Sequence, residues 1–300
     1  MSGSKAKWVY LAILSLIWGS SFILIKKSLV GLTDYQVGSL RIVLTSLFLF
    51  SIGFRSIREI KRKHWKWVAI SGFVSSFFPP FLFATAQTQI GSGISSILNS
   101  IVPLNTIIFG ALLFGIGVTI RQVWGVIIGL IGTIMLILGG LMAEKGGLDA
   151  AFSGNTNFWY SGLIIMATIG YALNVNIIKK YLSSISALAV TTGNFLFIFL
   201  PGLAVLYWTG FFQTIMESQE MQRSAMYVVL LSLVGTAVAK VLFNKMVQIA
   251  SPVFASSVTY TMPIVAVGWG ILDGERFGFI QIVAAAIILI GVYLSNKKKS

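Results

Sequence analysis

Unbroken apolar runs of about twenty residues recur along the whole of this chain and leave it few ways to fold. A helix rises 1.5 Å per residue, so a run of that length covers the roughly 30 Å of hydrocarbon in a bilayer. Ten can be read: Trp8 to Lys27, Tyr35 to Phe54, Trp67 to Gln89, Ile94 to Phe114, Val123 to Met142, Phe158 to Ile178, Ala187 to Trp208, Tyr227 to Ile249, Val253 to Leu272 and Phe277 to Ser295. Barrel strands would alternate polar and apolar residues, and these runs do not. The expected fold is therefore an all-α integral membrane protein with ten transmembrane helices. Composition agrees: 56% of residues are hydrophobic, 10% are charged and the mean hydropathy is +0.90, too apolar for the polar surface a soluble domain needs.

The net charge of +14 belongs to the membrane, not to a nucleic acid. Counted at alternate ends of the runs, one side holds fifteen Lys and Arg, including Arg55, Arg58 and the Lys61 to Lys66 cluster. The other holds five: Lys26, Lys27, Lys145, Arg223 and Arg276. Positive residues collect on the cytoplasmic side, so both termini are expected there. Lys5 and Lys7 flank the first run as in a signal peptide, but the run is long and ends at Lys26-Lys27 without a small-residue cleavage site, so it reads as a retained span. Cysteine is absent, which removes disulfides and thiolate metal sites.

Two stretches repeat. Pro103 and Gly110 precede Pro263 and Gly270 by 160 residues, and Gln122 and Gly132 precede Gln281 and Gly291 by 159. Leu24-Ile25-Lys26-Lys27-Ser28-Leu29 returns as Ile177-Ile178-Lys179-Lys180-Tyr181-Leu182 at an offset of 153. The last two runs form a hairpin about a polar hinge, Asp273 to Arg276, its first arm carrying Pro263 in mid-run. Residues 1–150 and 151–300 thus read as two five-span repeats, joined on the outside by the polar stretch Glu144 to Asn157. Five is odd, so the second repeat must be inverted relative to the first, which is a transporter design.

Several motifs in this pattern resemble those of the drug/metabolite transporter superfamily, in particular its EamA-type ten-span permeases. They are Trp18-Gly19-Ser20-Ser21-Phe22, Arg41, Pro103 and Pro263, the Gly274-Glu275-Arg276 turn, Gln281, and the closing Ile287 to Val292. The resemblance covers essentially the whole chain. It implies a central cavity between two inverted repeats, alternating access, and transport of a small metabolite, often outward. Two departures stand out. Phe114 to Val118 carries no acid where the first repeat of such permeases has one, and Lys240 stands where an aromatic residue is usual.

Polar groups inside a span are costly, so they are the candidate site. All eight acidic residues fall in loops or at span ends, and His64, the single histidine, lies in a basic loop. Without an intramembrane proton relay, facilitated diffusion or exchange is expected. Lys240 falls in the middle third of its run, too deep to snorkel, and is either a cation for a substrate carboxylate or phosphate or a lysine packed on carbonyls. Arg41 lies about two turns inside the second run. It can bind an anion or tie helices together, and its repeat mate, Asn194, is uncharged. Trp18 and Tyr171 are mates at offset 153 and can form facing aromatic walls. Asn174, Asn99 and Tyr260 complete the candidate substrate-binding set. Asn99 precedes Pro103 by four residues, as Thr259 precedes Pro263, so both side chains can also serve carbonyls freed by those prolines. Pro79, Pro80, Pro103 and Pro263 are candidate gating positions, with Pro79-Pro80 expected to bend the third span. Gly125, Gly129, Gly132 and Ala284 to Ala286 suit close helix packing.

Enzymes are disfavoured: no metalloprotease or P-loop motif, no dinucleotide turn, no intramembrane carboxylate pair and no intramembrane histidine is present. No cofactor or metal is called for. The expected partners are a small-molecule substrate and the lipid bilayer, with no nucleic acid; the oligomeric state is open, and a monomer is compatible with every feature above. The leading expectation is a permease for amino acids or related zwitterions, whose carboxylate would meet Lys240 and whose side chain an aromatic wall, in a bacterial inner membrane. An organic-anion or sugar-phosphate exchanger and a non-transporting scaffold are the alternatives.

Overall fold

The computed structural model describes residues 3–89, 92–143, 158–216, 218–272 and 279–296. Every regular element among them is a helix. The first half holds α1 (Gly3–Ser28), α2 (Asp34–Gly53), α3 (Trp65–Gly72), α4 (Phe78–Gln87), α5 (Ser92–Asn99), α6 (Val102–Phe114) and α7 (Ile120–Ala143). The second holds α8 (Phe158–Ile177), α9 (Ala187–Trp208), α10 (Phe211–Thr214), α11 (Gln219–Ser232), α12 (Ala239–Ile249), α13 (Pro252–Ser256), α14 (Val258–Leu272) and α15 (Phe279–Asn296). Six helical stretches are long and apolar enough to cross a membrane: Lys5–Ser28, Asp34–Glu59, Arg62–Gln87, Trp159–Leu182, Ala187–Trp208 and Gln219–Ile249. Val102–Phe114, Ile120–Met135 and Ile282–Ser295 are shorter apolar helices. The molecule is an all-α, multi-pass membrane protein. The hinge Asp273 to Arg276 and the joining stretch Glu144 to Asn157 lie outside the described residues.

Helices from one half pack mainly on helices from the other. α1 lies against α14 and α11, α2 against α9, α4 and α6 against α8, and α7 against α15. The last seam is built from glycines. A Cβ on Gly291 would sit 2.5 Å from the backbone nitrogen of Gly129, and one on Gly132 would sit 2.9 Å from Ile288, so only hydrogen lets these backbones approach so closely. Among the described residues, the loops are fixed by ordinary caps: Thr33 and Gln36 form a capping box at the start of α2, and Ser186 and Ser251 cap α9 and α13.

Three helices contain π-type turns, at Phe73–Phe77, Ile178–Leu182 and Leu233–Val238. The first joins α3 to α4 and the third joins α11 to α12, and the two lie 160 residues apart. Prolines explain the first. Pro79 and Pro80 have no N–H to cover carbonyls four and five residues back, so those of Val74 and Ser75 turn outward. Helix nevertheless continues past them, because both prolines fall in the first turn of α4, where an N–H is dispensable. The stretch expected to bend the third span at Pro79-Pro80 carries a π-type bulge just before the prolines. The breaks near the other two candidate gating prolines precede them. Pro103 sits in the first turn of α6, after a break at Ser100 and Ile101, and Pro263 lies inside an unbroken α14. The break in that arm of the hairpin comes six residues earlier, at Ser257.

Candidate functional site

A cavity with about 120 Å³ of free space lies between the two halves, room for on the order of ten waters or a small metabolite. Its lining is organised by the two repeat offsets. Trp18, Ser21, Phe22 and Ile42 line it together with their mates at 153, Tyr171, Asn174, Val175 and Phe195. Ser75 and Ser76 do so with Gly235 and Thr236, 160 residues on, as do Pro80 with Lys240 and Phe83 with Phe243. Asn99 with Thr259 and Val102 with Met262 complete the pairs. Among the described residues, only Ile25, Arg41, Ser256 and Val258 line it without a lining mate.

The aromatic walls follow the same rule. Trp18 meets Phe243 at 5.2 Å between ring centroids, and Tyr171 meets Phe83, the mate of Phe243, at 6.2 Å. The Trp18 indole N–H donates to the carbonyl of Gly235 at 2.9 Å. That carbonyl lies in the second π segment, so the irregular turn supplies the acceptor that a buried indole needs.

Two cations interrupt this paired surface. Lys240, 8% exposed, is the mate of a proline; its Nζ donates to the carbonyl of Ser75 at 3.2 Å and to its hydroxyl at 2.8 Å. The ammonium therefore takes a carbonyl that Pro79 leaves uncovered, while its position leaves it on the cavity wall. Arg41 donates from Nε to Thr236 Oγ1 at 2.6 Å, and its terminal amino groups find no hydrogen-bond partner among the described residues. Arg41 and Lys240 repel one another electrostatically. Among the described residues no carboxylate lines the cavity. Asp34 is bound by the Thr85 hydroxyl at 2.5 Å, and Glu59 accepts from the Ser186 N–H at 3.3 Å.

The cavity thus brings together Lys240, Arg41, Trp18, Tyr171, Asn174 and Asn99, with Pro80 beside them. Asn174 accepts a hydrogen bond from Ser71 at 2.5 Å. Asn99 is nearly buried, with Oδ1 unpartnered and Nδ2 reaching only the sulfur of Met262 at 3.8 Å. The carbonyl that Pro103 frees is that of Asn99 itself, and the Asn99 amide reaches the Met262 sulfur, not that carbonyl; Thr259 likewise donates to the carbonyl of Ser256. Tyr260 is not among the walls. Its ring packs where a Cβ on Gly129 would lie, and its hydroxyl donates to the carbonyl of Val126 at 2.9 Å, tying α14 to α7. Pro79, Pro103 and Pro263 also lie off the cavity. Sequence reasoning missed Ser75, Ser76, Thr236 and the Phe83–Phe243 pair; extending the 160-residue offset back from Pro103 pairs these positions but does not tell which way they face.

A multi-pass helical membrane protein with a largely apolar cavity between its halves, carrying two cations, has the build of a small-molecule transporter. The chain belongs to the EamA-like transporter family, which it matches over residues 6–138 and again over 158–297, and so to the drug/metabolite transporter superfamily. Membership indicates a transporter rather than an enzyme and implies a small-molecule substrate and the lipid bilayer as its partners. A WAT1-related chloroplastic protein of Arabidopsis thaliana is 23% identical, across 98% of this chain and 70% of its own length. The "uncharacterized inner membrane transporter YedA" of Escherichia coli is 25% identical, across 94% and 87%. A protein of known crystal structure shares the fold at a TM-score of 0.71 with 16% identity, covering 97% of this chain and 96% of its own.

Proposed function

We propose that this transporter moves small carboxylate-bearing metabolites, with amino acids and related zwitterions as the leading class, by alternating access and without proton coupling. The observation that carries the proposal is the pair of cations. Nearly every other lining residue has a lining mate at 153 or 160, so the fold forms this cavity without charge. Arg41 and Lys240 are where the repeats diverge, and buried charge is retained at such cost only where something pairs with it. A carboxylate between them, with the rest of the substrate against Trp18, Tyr171 and Phe83, meets that need. Asn174 and Asn99 stand within the same walls. Pro79, Pro80, Pro103 and Pro263 are proposed as the places where the helices flex during the cycle.

The paired lining also supports two inverted five-span repeats, residues 1–150 and 151–300, and ten spans in all. The charge asymmetry of the loops supports both termini in the cytoplasm, and the likeness to YedA supports an inner membrane. A second reading, an organic-anion or sugar-phosphate exchanger, draws on the same cations and on the lack, among the described residues, of a lining carboxylate to meet an ammonium group.

Counterflow in liposomes preloaded with pooled amino acids or pooled phosphorylated sugars tests both. Exchange of the amino acid pool supports the first reading, signal with the phosphorylated pool alone moves the assignment to the second, and silence with both removes transport of either class.

A further inference from the structure

The two ends of the pseudo-symmetric bundle are not in the same state. At one end, the Lys179 ammonium donates to three carbonyls at the C-terminus of α12: Val247 at 3.4 Å, Gln248 at 3.2 Å and Ala250 at 2.7 Å. Lys180 donates to the carbonyl of Phe114 at 2.6 Å, where α6 ends at the left-handed Gly115. A cation there satisfies carbonyls that have no partner within their own helix and lies at the negative end of its dipole. Around the pair, Tyr181 stacks on Trp67 at 3.8 Å and Gln248 bonds the carbonyl of Ile185 at 2.7 Å. That end is closed.

The repeat mates at the other end, Lys26 and Lys27, are exposed and make no hydrogen bond through their side chains among the described residues. Lys27 does no more than approach the Tyr227 ring at 5.6 Å. The cavity leans the same way. Ile25, next to Lys26, lines it, whereas its mate Ile178, next to Lys179, is sealed in the core. At offset 160, the carbonyls that Lys179 holds at Val247 and Gln248 correspond to those of Gln87 and Thr88, at the end of α4. There the buried Gln87 amide has no partner for either of its polar atoms.

We propose that Lys179 and Lys26 are alternating latches. Lys179 holds its end shut in the state seen here, and in the opposite state Lys26 takes the same role by capping the carbonyls of Gln87 and Thr88 at the end of α4. The proposal rests on the alternating-access reading above and makes these lysines positioning residues for transport, remote from the substrate. Each state then exchanges one set of charge-assisted hydrogen bonds for an equivalent set, which keeps the two close in free energy.

The chain has no cysteine, so a Ser21→Cys reporter in the cavity can be labelled with a membrane-impermeant maleimide from either side of oriented vesicles. The expected result is labelling mainly from the Lys26 side. Lys179→Met should raise labelling from the Lys179 side by about tenfold, and Lys179→Arg should restore the original pattern. Lys26→Met is the sharper variant, since that side chain holds nothing here: it should shift labelling further toward the Lys26 side and slow counterflow by about tenfold. Wild-type sidedness and counterflow in Lys26→Met would overturn the latch, even if Lys179→Met cannot be obtained folded. Labelling from both sides alike, unchanged by substrate, would instead remove alternating access itself and the latch with it.

Discussion

Lys240 shows how one residue can answer to packing and to chemistry at once. Its ammonium covers the Ser75 carbonyl, the packed-lysine reading of the sequence, yet it stays on the wall of the cavity with Arg41 as its neighbour. Lys240→Met keeps the volume and removes the charge. The expected outcome is a roughly ten- to hundredfold loss of apparent affinity for carboxylate substrates, the equivalent of one charged hydrogen bond. A loss of about 1–3 kcal/mol of stability should accompany it, from the uncovered carbonyl. Counterflow and thermal unfolding in detergent read the two separately. Gly170 makes a purely structural contrast. A Cβ there would lie 2.2 Å from the Val74 carbonyl, which the π turn points at α8. Backbone cannot step aside, so Gly170→Ala should cost about 1–3 kcal/mol, read as a lowered melting temperature.

At the scale of elements, the π segments and the glycine seam have separable tasks. The segments at Phe73–Phe77 and Leu233–Val238 turn Ser75, Ser76, Gly235 and Thr236 onto the cavity. Pro79→Ala returns an N–H that can reach the Ser75 carbonyl and compete with Lys240 for it. The expected product is a protein at least as stable as the original but slower in counterflow, as the bulge relaxes toward regular helix. The seam between α7 and α15 lies away from the cations. Gly291→Ala would drive a methyl against the backbone of Gly129, so it should lower the melting temperature while leaving the preference among substrate pools unchanged. A change in that preference would mean the seam shapes the cavity after all.

For the whole molecule, transport is expected to run on the substrate's own gradient. Among the described residues no acidic side chain lines the cavity, and His64 lies in a short helix at Arg62–His64, at the end of the third membrane-crossing stretch, so none of these groups relays a proton across it. Counterflow should be unchanged by an imposed pH gradient; a rate strongly driven by one would refute a facilitative mechanism. Much of this was legible in the amino-acid sequence. Apolar runs of spanning length specify helices in a bilayer because hydrocarbon allows the backbone only helices or closed barrels, and these runs lack a barrel's alternation. Spacings of 153 and 160 announced which residues share a depth, since duplication preserves register, and Trp18 and Tyr171 do meet the same cavity. What the sequence could not reveal was direction. Tyr260 and Asn99 look alike as polar residues within spans, yet one turns to α7 and the other to the cavity, because the side to which a helix turns a residue depends on neighbours distant in the chain. Helix breaks were misplaced for the same reason. A proline forfeits one hydrogen bond, but whether the helix breaks there or six residues earlier depends on what packs around it. The end that is shut was likewise decided only in three dimensions. Lys26-Lys27 and Lys179-Lys180 are nearly the same words in the sequence, and only the carbonyls brought within reach of Lys179 and Lys180 tell the two ends apart.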